Sequence, residues 1–205
     1  MTDLAAAYAL NGPDACARLY ADWAASYDVG FAQATDYRLP AHVAAVFLAH
    51  GGSGPVLDVG AGTGLLAQQL RDMGLTDPVD AVDLSPEMLA TAATKGLYRQ
   101  LHAANITAPL GLSGPYHGIV SSGTFTHGHV GPEGIAMLEA TAAPGALFAL
   151  SINQAVYASN GFDVALARRL NVTLIPVPIY GPGTTDPAHV TDTALIALWR
   201  HPTAP

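Results

Sequence analysis

Short apolar runs alternate along the chain with stretches of helical spacing, and Gly- or Pro-rich turns separate them. Leu19, Trp23 and Tyr27 recur at four-residue spacing after Pro13-Asp14, which predicts a helix over 14–27 ended by Tyr27-Asp28-Val29-Gly30. Residues 1–12 read as loosely docked. A second helix, Ala41 to His50, has Pro40 in its first turn and Gly51-Gly52 as its stop. Val56, Leu57 and Val59 then form a strand apolar on both faces, the mark of a buried parallel strand. Leu65, Leu66 and Leu70 open a helix, and Val79, Ala81 and Val82 give a second strand ending in Asp83. Ser85-Pro86-Glu87 starts the next helix by N-cap, Pro at N1 and acid in the first turn, and Gly96 closes it after Lys95.

The pattern continues with a less apolar strand, 97–103, suited to the sheet's edge, and a fourth strand, 118–122. A Gly- and His-rich loop, 123–132, precedes a helix over 133–143 with Ile135, Met137 and Leu138 facing inward. Pro144-Gly145 turns into a fifth strand, 146–152, and a helix follows over 161–170. Two strand-like runs remain, 172–179 and 191–199, with GPGTTDPAH and no helix between them, so they predict an antiparallel pair. Strands alternating with helices make this an α/β chain built on a largely parallel sheet.

The candidate chemistry lies where the first strand meets its helix. Gly60, Gly62 and Gly64 provide a turn that a ligand can approach closely, opening onto the positive end of a helix. A dinucleotide fingerprint wants a small residue at the sixth position of G-x-G-x-x-G, where this chain has Leu65. The frame present is D-x-G-x-G-x-G, beginning at Asp58, and it resembles motif I of class I S-adenosylmethionine (SAM) methyltransferases. SAM has no phosphate to cradle, and its carboxylate, ammonium and ribose suit a glycine loop with one carboxylate nearby. Asp83 stands about twenty residues further on, the distance of an acidic ribose ligand, with Leu84 and Met88 placed to flank an adenine. The C-terminal strand pair also speaks for SAM, since a dinucleotide fold continues with a βαβ crossover.

Composition narrows the function classes. At 205 residues and 50% hydrophobic, the chain can bury one sizeable core and needs one domain, 1–205. A net charge of −8 with only 8 Lys plus Arg argues against a nucleic-acid partner. No apolar run approaches a membrane span, so no membrane partner is expected. The single cysteine, Cys16, rules out an internal disulfide and fits a cytoplasmic location. Oligomeric state is not legible.

The first fifty residues precede the first strand and can fold back as a helical lid (1–50) over a cofactor-binding core (51–205). In open α/β sheets ligands bind at the strands' C-terminal edge. There Arg38 could pair with the cofactor's carboxylate and a Tyr27 or Tyr37 ring could meet its sulfonium. The alternative is that the tyrosines pack the lid onto the sheet and Arg38 is solvated.

YADWAASYD (20–28), YRLP (37–40), VLDVGAGTG (56–64), VDAVDLSPEML (79–89), KGLY (95–98) and SSGTFTHGHVGP (121–132) together resemble the class I SAM methyltransferases. A closer likeness is to the methyltransferase-like proteins of the Williams–Beuren syndrome region and their bacterial relatives. The resemblance implies a Rossmann-like α/β sandwich with a seven-stranded sheet in the order 3-2-1-4-5-7-6, strand 7 antiparallel. It implies SAM as cofactor, S-adenosylhomocysteine (SAH) as product, and methyl transfer to an acceptor it does not specify; the acidic surface favours a small molecule. Carried onto this chain, the cofactor residues are Tyr27, Arg38, Asp58, Gly60, Ala61, Gly62, Asp83, Leu84, Met88, Asn105, Ile106 and Ser122. Asn105 stands where relatives often have an acid, and its side-chain oxygen would accept from the adenine amino group.

In-line methyl transfer needs alignment and exclusion of water, and a base only if the nucleophile starts protonated. His127 and His129 are the candidate bases; loop-anchoring histidines are the alternative. An H-x-H metal pair lacks a third ligand, so no metal is expected. Two other readings stay open: a SAM- or SAH-binding protein without transferase activity, and an NAD-dependent oxidoreductase.

Overall fold

The strands are β1 (Val56–Val59), β2 (Val79–Asp83), β3 (Gln100–Ala103), β4 (Tyr116–Phe125), β5 (Ala142–Asn153), β6 (Thr173–Pro178) and β7 (Thr193–Arg200). They form a seven-stranded sheet in the order β3-β2-β1-β4-β5-β7-β6. β3 through β5 pair in parallel, whereas β7 runs antiparallel to both β5 and β6. This is the order that the methyltransferase resemblance implies, and the strand–turn–strand ending replaces the crossover of a dinucleotide fold. The computed structural model describes Leu19, Trp23, Ala24 and residues 27–112, 114–184 and 189–203. Residues 1–12 and most of the helix predicted over 14–27 lie outside the described residues.

Period-two alternation divides the core into two layers. On one face Val56, Val79, Val120 and Ala149 pack against α1 (Leu39–Ala49) and α2 (Leu65–Asp72) through Val43, Phe47, Leu66 and Leu70. On the other, Leu57, Val59, Ile119 and Phe148 meet α4 (Glu133–Glu139) and α5 (Phe162–Leu166) through Ile135, Leu138 and Phe162. The remaining helix, α3 (Pro86–Thr94), starts as the sequence predicts: Ser85 Oγ accepts from the Met88 N–H at 3.2 Å and Pro86 opens the first turn.

Tertiary packing moves several boundaries. Tyr27-Asp28-Val29-Gly30 does not end a helix. It begins a π-helical segment, Tyr27–Gln33, with the Tyr27 and Phe31 rings stacked at 4.9 Å. β3 starts three residues late because Leu97 and Tyr98 turn inward onto the α1–α2 layer. β4 runs on through Gly123 and Thr124, part of the predicted loop, because Phe125 is fully buried and pairs with Ile152. The Pro144-Gly145 turn lies inside β5 as an irregularity, Ala142 pairing with Tyr116 before the register resumes at Leu147–Gly118. The helices predicted over 133–143 and 161–170 are shorter, Glu133–Glu139 and Phe162–Leu166.

Asp80 on β2 is 1% exposed and would be costly to bury alone. Arg99 donates to it from Nε at 2.9 Å and Nη2 at 2.6 Å, and the Tyr116 hydroxyl donates at 2.8 Å. Burial pushes this carboxyl up, but the bonds from Arg99 and Tyr116 outweigh it and hold Asp80 below the ordinary carboxylate value. The edge strand β6 carries Pro176 and Pro178, which have no N–H to offer a further strand. No helix among the described residues is long and apolar enough to cross a membrane.

Candidate active site

The parallel strands end at one edge, and there the loops enclose a cavity of about 550 Å³. Its floor is the loop after β1. Gly60 N–H donates to the Val82 carbonyl at 2.8 Å, which ties the loop to β2. Gly60 has φ of +63°, and a Cβ there would collide with the Thr124 hydroxyl. That hydroxyl is itself fixed by donating to the Val59 carbonyl at 3.0 Å. No other residue type fits this position without strain.

Asp83 closes one side. Its two oxygens accept from the Gly62 N–H at 2.7 Å and the Ser85 N–H at 2.8 Å, so the carboxylate is held in one orientation at the cavity wall. Burial raises its pKa despite these bonds, leaving a charge that gains from further donors. Asp58 lies behind the loop and does not line the cavity. It is 1% exposed, takes a 2.7 Å bond from the Tyr98 hydroxyl, and is pushed up to about 7 by burial. The Tyr98 bond draws that value down, and the neighbouring Asp83 charge adds to it.

Of the other sequence-predicted residues, Tyr27, Ala61 and Gly62 line the cavity near the loop, and Leu84, Met88 and Ile106 line it beyond Asp83. Met88 also carries the buried Trp23 on its far side. Asn105 lines the cavity, but its side-chain oxygen already accepts from the Thr107 N–H and hydroxyl, both at 2.9 Å. The oxygen expected to accept from an adenine is therefore engaged in a local turn, and the amide's two N–H donors are what it can offer. Ser122 and Tyr37 both line the cavity.

Arg38 is not in the cavity wall. Its guanidinium pairs with Asp36 at 2.6 Å, and its side chain is 54% exposed, as in the solvated alternative. Asp36 is held below the usual carboxylate range by Arg38 and by the Gly183 N–H. The two histidines separate. His129 lines the cavity, whereas His127 lines an adjoining cleft with Gln154, His189 and Thr193. His129 Nδ1 lies 2.6 Å from the His127 carbonyl. A carbonyl only accepts, so Nδ1 bears the proton and Nε2 is the nitrogen able to take one. Burial lowers the His129 pKa, which keeps the ring neutral near pH 7.

Some of the site was not foreseen. Asp28, in the π-helical segment, accepts from the Thr63 hydroxyl at 2.5 Å and from Lys95 Nζ at 2.6 Å, joining the N-terminal segment to the glycine loop and to the end of α3. Far from β1, the cavity is walled by Phe31, Ile179, Tyr180, Ser151 and Asn153. Tyr180 follows β6 and forms a β-bridge with Tyr37, which brings together segments no local pattern connects. Among the described residues no cluster of three or more His, Cys, Asp or Glu could hold a metal.

Residues 56–145 match the family model described as a methyltransferase domain. Human methyltransferase-like protein 27 is 34% identical over 148 residues, 68% of this chain, and the match spans 59% of that protein's length. Among solved structures, magnesium protoporphyrin IX methyltransferase from Synechocystis PCC 6803 with bound SAM superposes with a TM-score of 0.66 at 17% identity, over 93% of this chain and 97% of its own. The 1,6-didemethyltoxoflavin-N1-methyltransferase of Burkholderia thailandensis, with 1,6-didemethyltoxoflavin and SAH bound, gives a TM-score of 0.60 at 22% identity over 94% of this chain and 92% of its own. The sheet is that of the Rossmann-like class I methyltransferase fold.

Proposed function

We propose that this chain, with its methyltransferase-domain match and class I fold, is a SAM-dependent methyltransferase acting on a small-molecule acceptor. The observation that carries the proposal is the pairing of the positive-φ Gly60 turn with an Asp83 carboxylate fixed at the cavity wall. SAM needs both: a backbone it can approach and an acceptor for its ribose hydroxyls. When bound, it supplies a methyl group on a positive sulfur, open to in-line attack. The chain's part is to bind, orient and enclose. Leu84, Met88 and Ile106 give apolar walls for an adenine, and Asn105 can donate to it. Tyr27 and Ser122 meet the cofactor from the N-terminal segment and β4. His129, through Nε2, can take the proton of a hydroxyl or amine acceptor. The Arg38 and His127 positions support no direct contact in this reading.

Within a single domain, the segment from Tyr27 to Arg38 acts as the lid, with Asp28 as the latch, whereas α1, which the sequence grouped with the lid in residues 1–50, packs in the core layer on the sheet. The chain's likeness to the Williams–Beuren region proteins belongs to this proposal, supported by the relative at 34% identity. The activity of that whole protein is not carried over with it.

The test is calorimetric titration with SAM, SAH and NAD, on wild type and on Asp83→Ala. SAM and SAH should bind and NAD should not. The substitution should weaken binding by roughly 1.5–3 kcal/mol, the scale for hydrogen bonds to a charged group. NAD binding, or an affinity that Asp83→Ala leaves intact, would refute the assignment. Acceptor-stimulated turnover of SAM to SAH then separates an enzyme from a SAM-binding protein.

A further inference from the structure

The cavity's two halves differ in chemistry. The half at the ends of β1, β2 and β3 holds the glycine loop and Asp83. The half beyond β4 is bounded by three aromatic rings from distant segments. Phe31 lies 5.5 Å from Tyr37 and 6.5 Å from Tyr180, and the two tyrosine rings are 5.9 Å apart. Ser151 and Asn153 are the polar residues that β5 adds there.

Charge is the deciding feature. The described residues lining the whole cavity include no lysine and no arginine, and the ionisable acids among them are Asp83 and Glu133. His129 is kept neutral by burial. An acceptor bearing a carboxylate or phosphate would find no side-chain cation among the described lining residues to pair with, and burying an anion without such a partner is strongly unfavourable. A cationic acceptor would lie beside the cofactor's own positive sulfur, and a protonated amine has no lone pair to attack with. An uncharged ring meets neither obstacle and gains offset or edge contacts with the aromatic wall.

Resting on the cofactor reading above, we infer that the acceptor is a flat, uncharged, largely apolar molecule carrying a hydroxyl or ring-nitrogen nucleophile, bound against Phe31, Tyr37 and Tyr180. The amino-acid basis is a site whose described lining is built from rings and short polar groups and includes no side-chain cation. Selection is by exclusion of acids as much as by attraction of rings.

The test uses 2-naphthol and 2-naphthoate as probes of one ring system, the first uncharged and the second an anion near pH 7. Binding is read by calorimetry and by probe fluorescence, on the full chain with and without saturating SAH. The expected result is that 2-naphthol binds alongside SAH and 2-naphthoate binds at least tenfold more weakly. Tyr180→Leu should weaken 2-naphthol at least fivefold and leave SAH affinity unchanged. Because that variant also removes core packing, Thr126→Lys supplies a second arm: a cation placed in the cavity wall should reverse the preference toward 2-naphthoate. Equal or tighter naphthoate binding to wild type, competition between naphthol and SAH, or an unchanged preference in Thr126→Lys would overturn the inference. Absence of SAH binding would instead strike the cofactor reading, and the probe titrations without SAH would still report on the aromatic half.

Discussion

Replacing Asp58 with Asn tests the electrostatics beneath the glycine loop. Asp58 is 1% exposed and its carboxyl is pushed up to about 7, mainly by burial. In the unfolded chain the same group titrates near ~3.9. Between those values the folded state binds the extra proton, so stability falls as pH rises through this window. From pH 5.5 to pH 8 the mismatch spans about 1.5 pH units before the folded group itself titrates, which is about 2 kcal/mol. Asn keeps the shape and can still accept from Tyr98, but it does not titrate. The stability difference between Asp58→Asn and wild type should therefore move in the variant's favour by about 2 kcal/mol from pH 5.5 to pH 8. Urea unfolding of both proteins at several pH values measures it, and the titrating groups that do not interact with Asp58 cancel in the difference. A difference that stays flat with pH would mean that Asp58 keeps an ordinary carboxylate pKa, and the reasoning would fail.

Arg99→Met should destabilise the fold by about 2–3 kcal/mol at pH 7, less than the ~3–5 for a fully buried pair, because Arg99 is 46% exposed. Asp80 is held below its ordinary value, so this loss should shrink as pH falls below ~4, checked by chemical unfolding against pH. Lys95→Met removes one arm of the Asp28 latch. Cleavage of the segment before residue 40 by a nonspecific protease should quicken, with global stability changed by less than about 1 kcal/mol; an unchanged digestion rate would leave the latch without a role. Gly60→Ala, forced into positive φ and against Thr124, should cost SAH affinity about tenfold or more, and an unchanged Kd would show that the loop can relax.

What the sequence revealed followed from short-range chemistry. The D-x-G-x-G-x-G frame, Asp83 at its spacing, the Ser85 cap and the strand pair at the C-terminus each carry their signal within a few residues, and they led to the sheet order observed. What was not legible depends on which of several competing partners, near or far along the chain, each side chain takes. Arg38 was expected to meet the cofactor, but Asp36 captures it. Asn105 was expected to offer its oxygen, but Thr107 takes it. His127 and His129 look equivalent in sequence, and a two-residue difference in a tight loop sends them to different cavities. Tyr180 gave no signal, since nothing around it marks a residue that will bridge to Tyr37.

The Tyr37–Tyr180 bridge joins segments that lie on either side of the stretch matching the methyltransferase-domain model, residues 56–145. The rings at the far end of the cavity thus come from parts of the polypeptide that lie outside the matched stretch. Exchanging these flanking pieces would reshape one half of the chamber and leave the glycine loop and Asp83 of the other in place. A graft of residues 31–37 and 179–183 from one such protein onto another would be the smallest exchange that carries the wall intact.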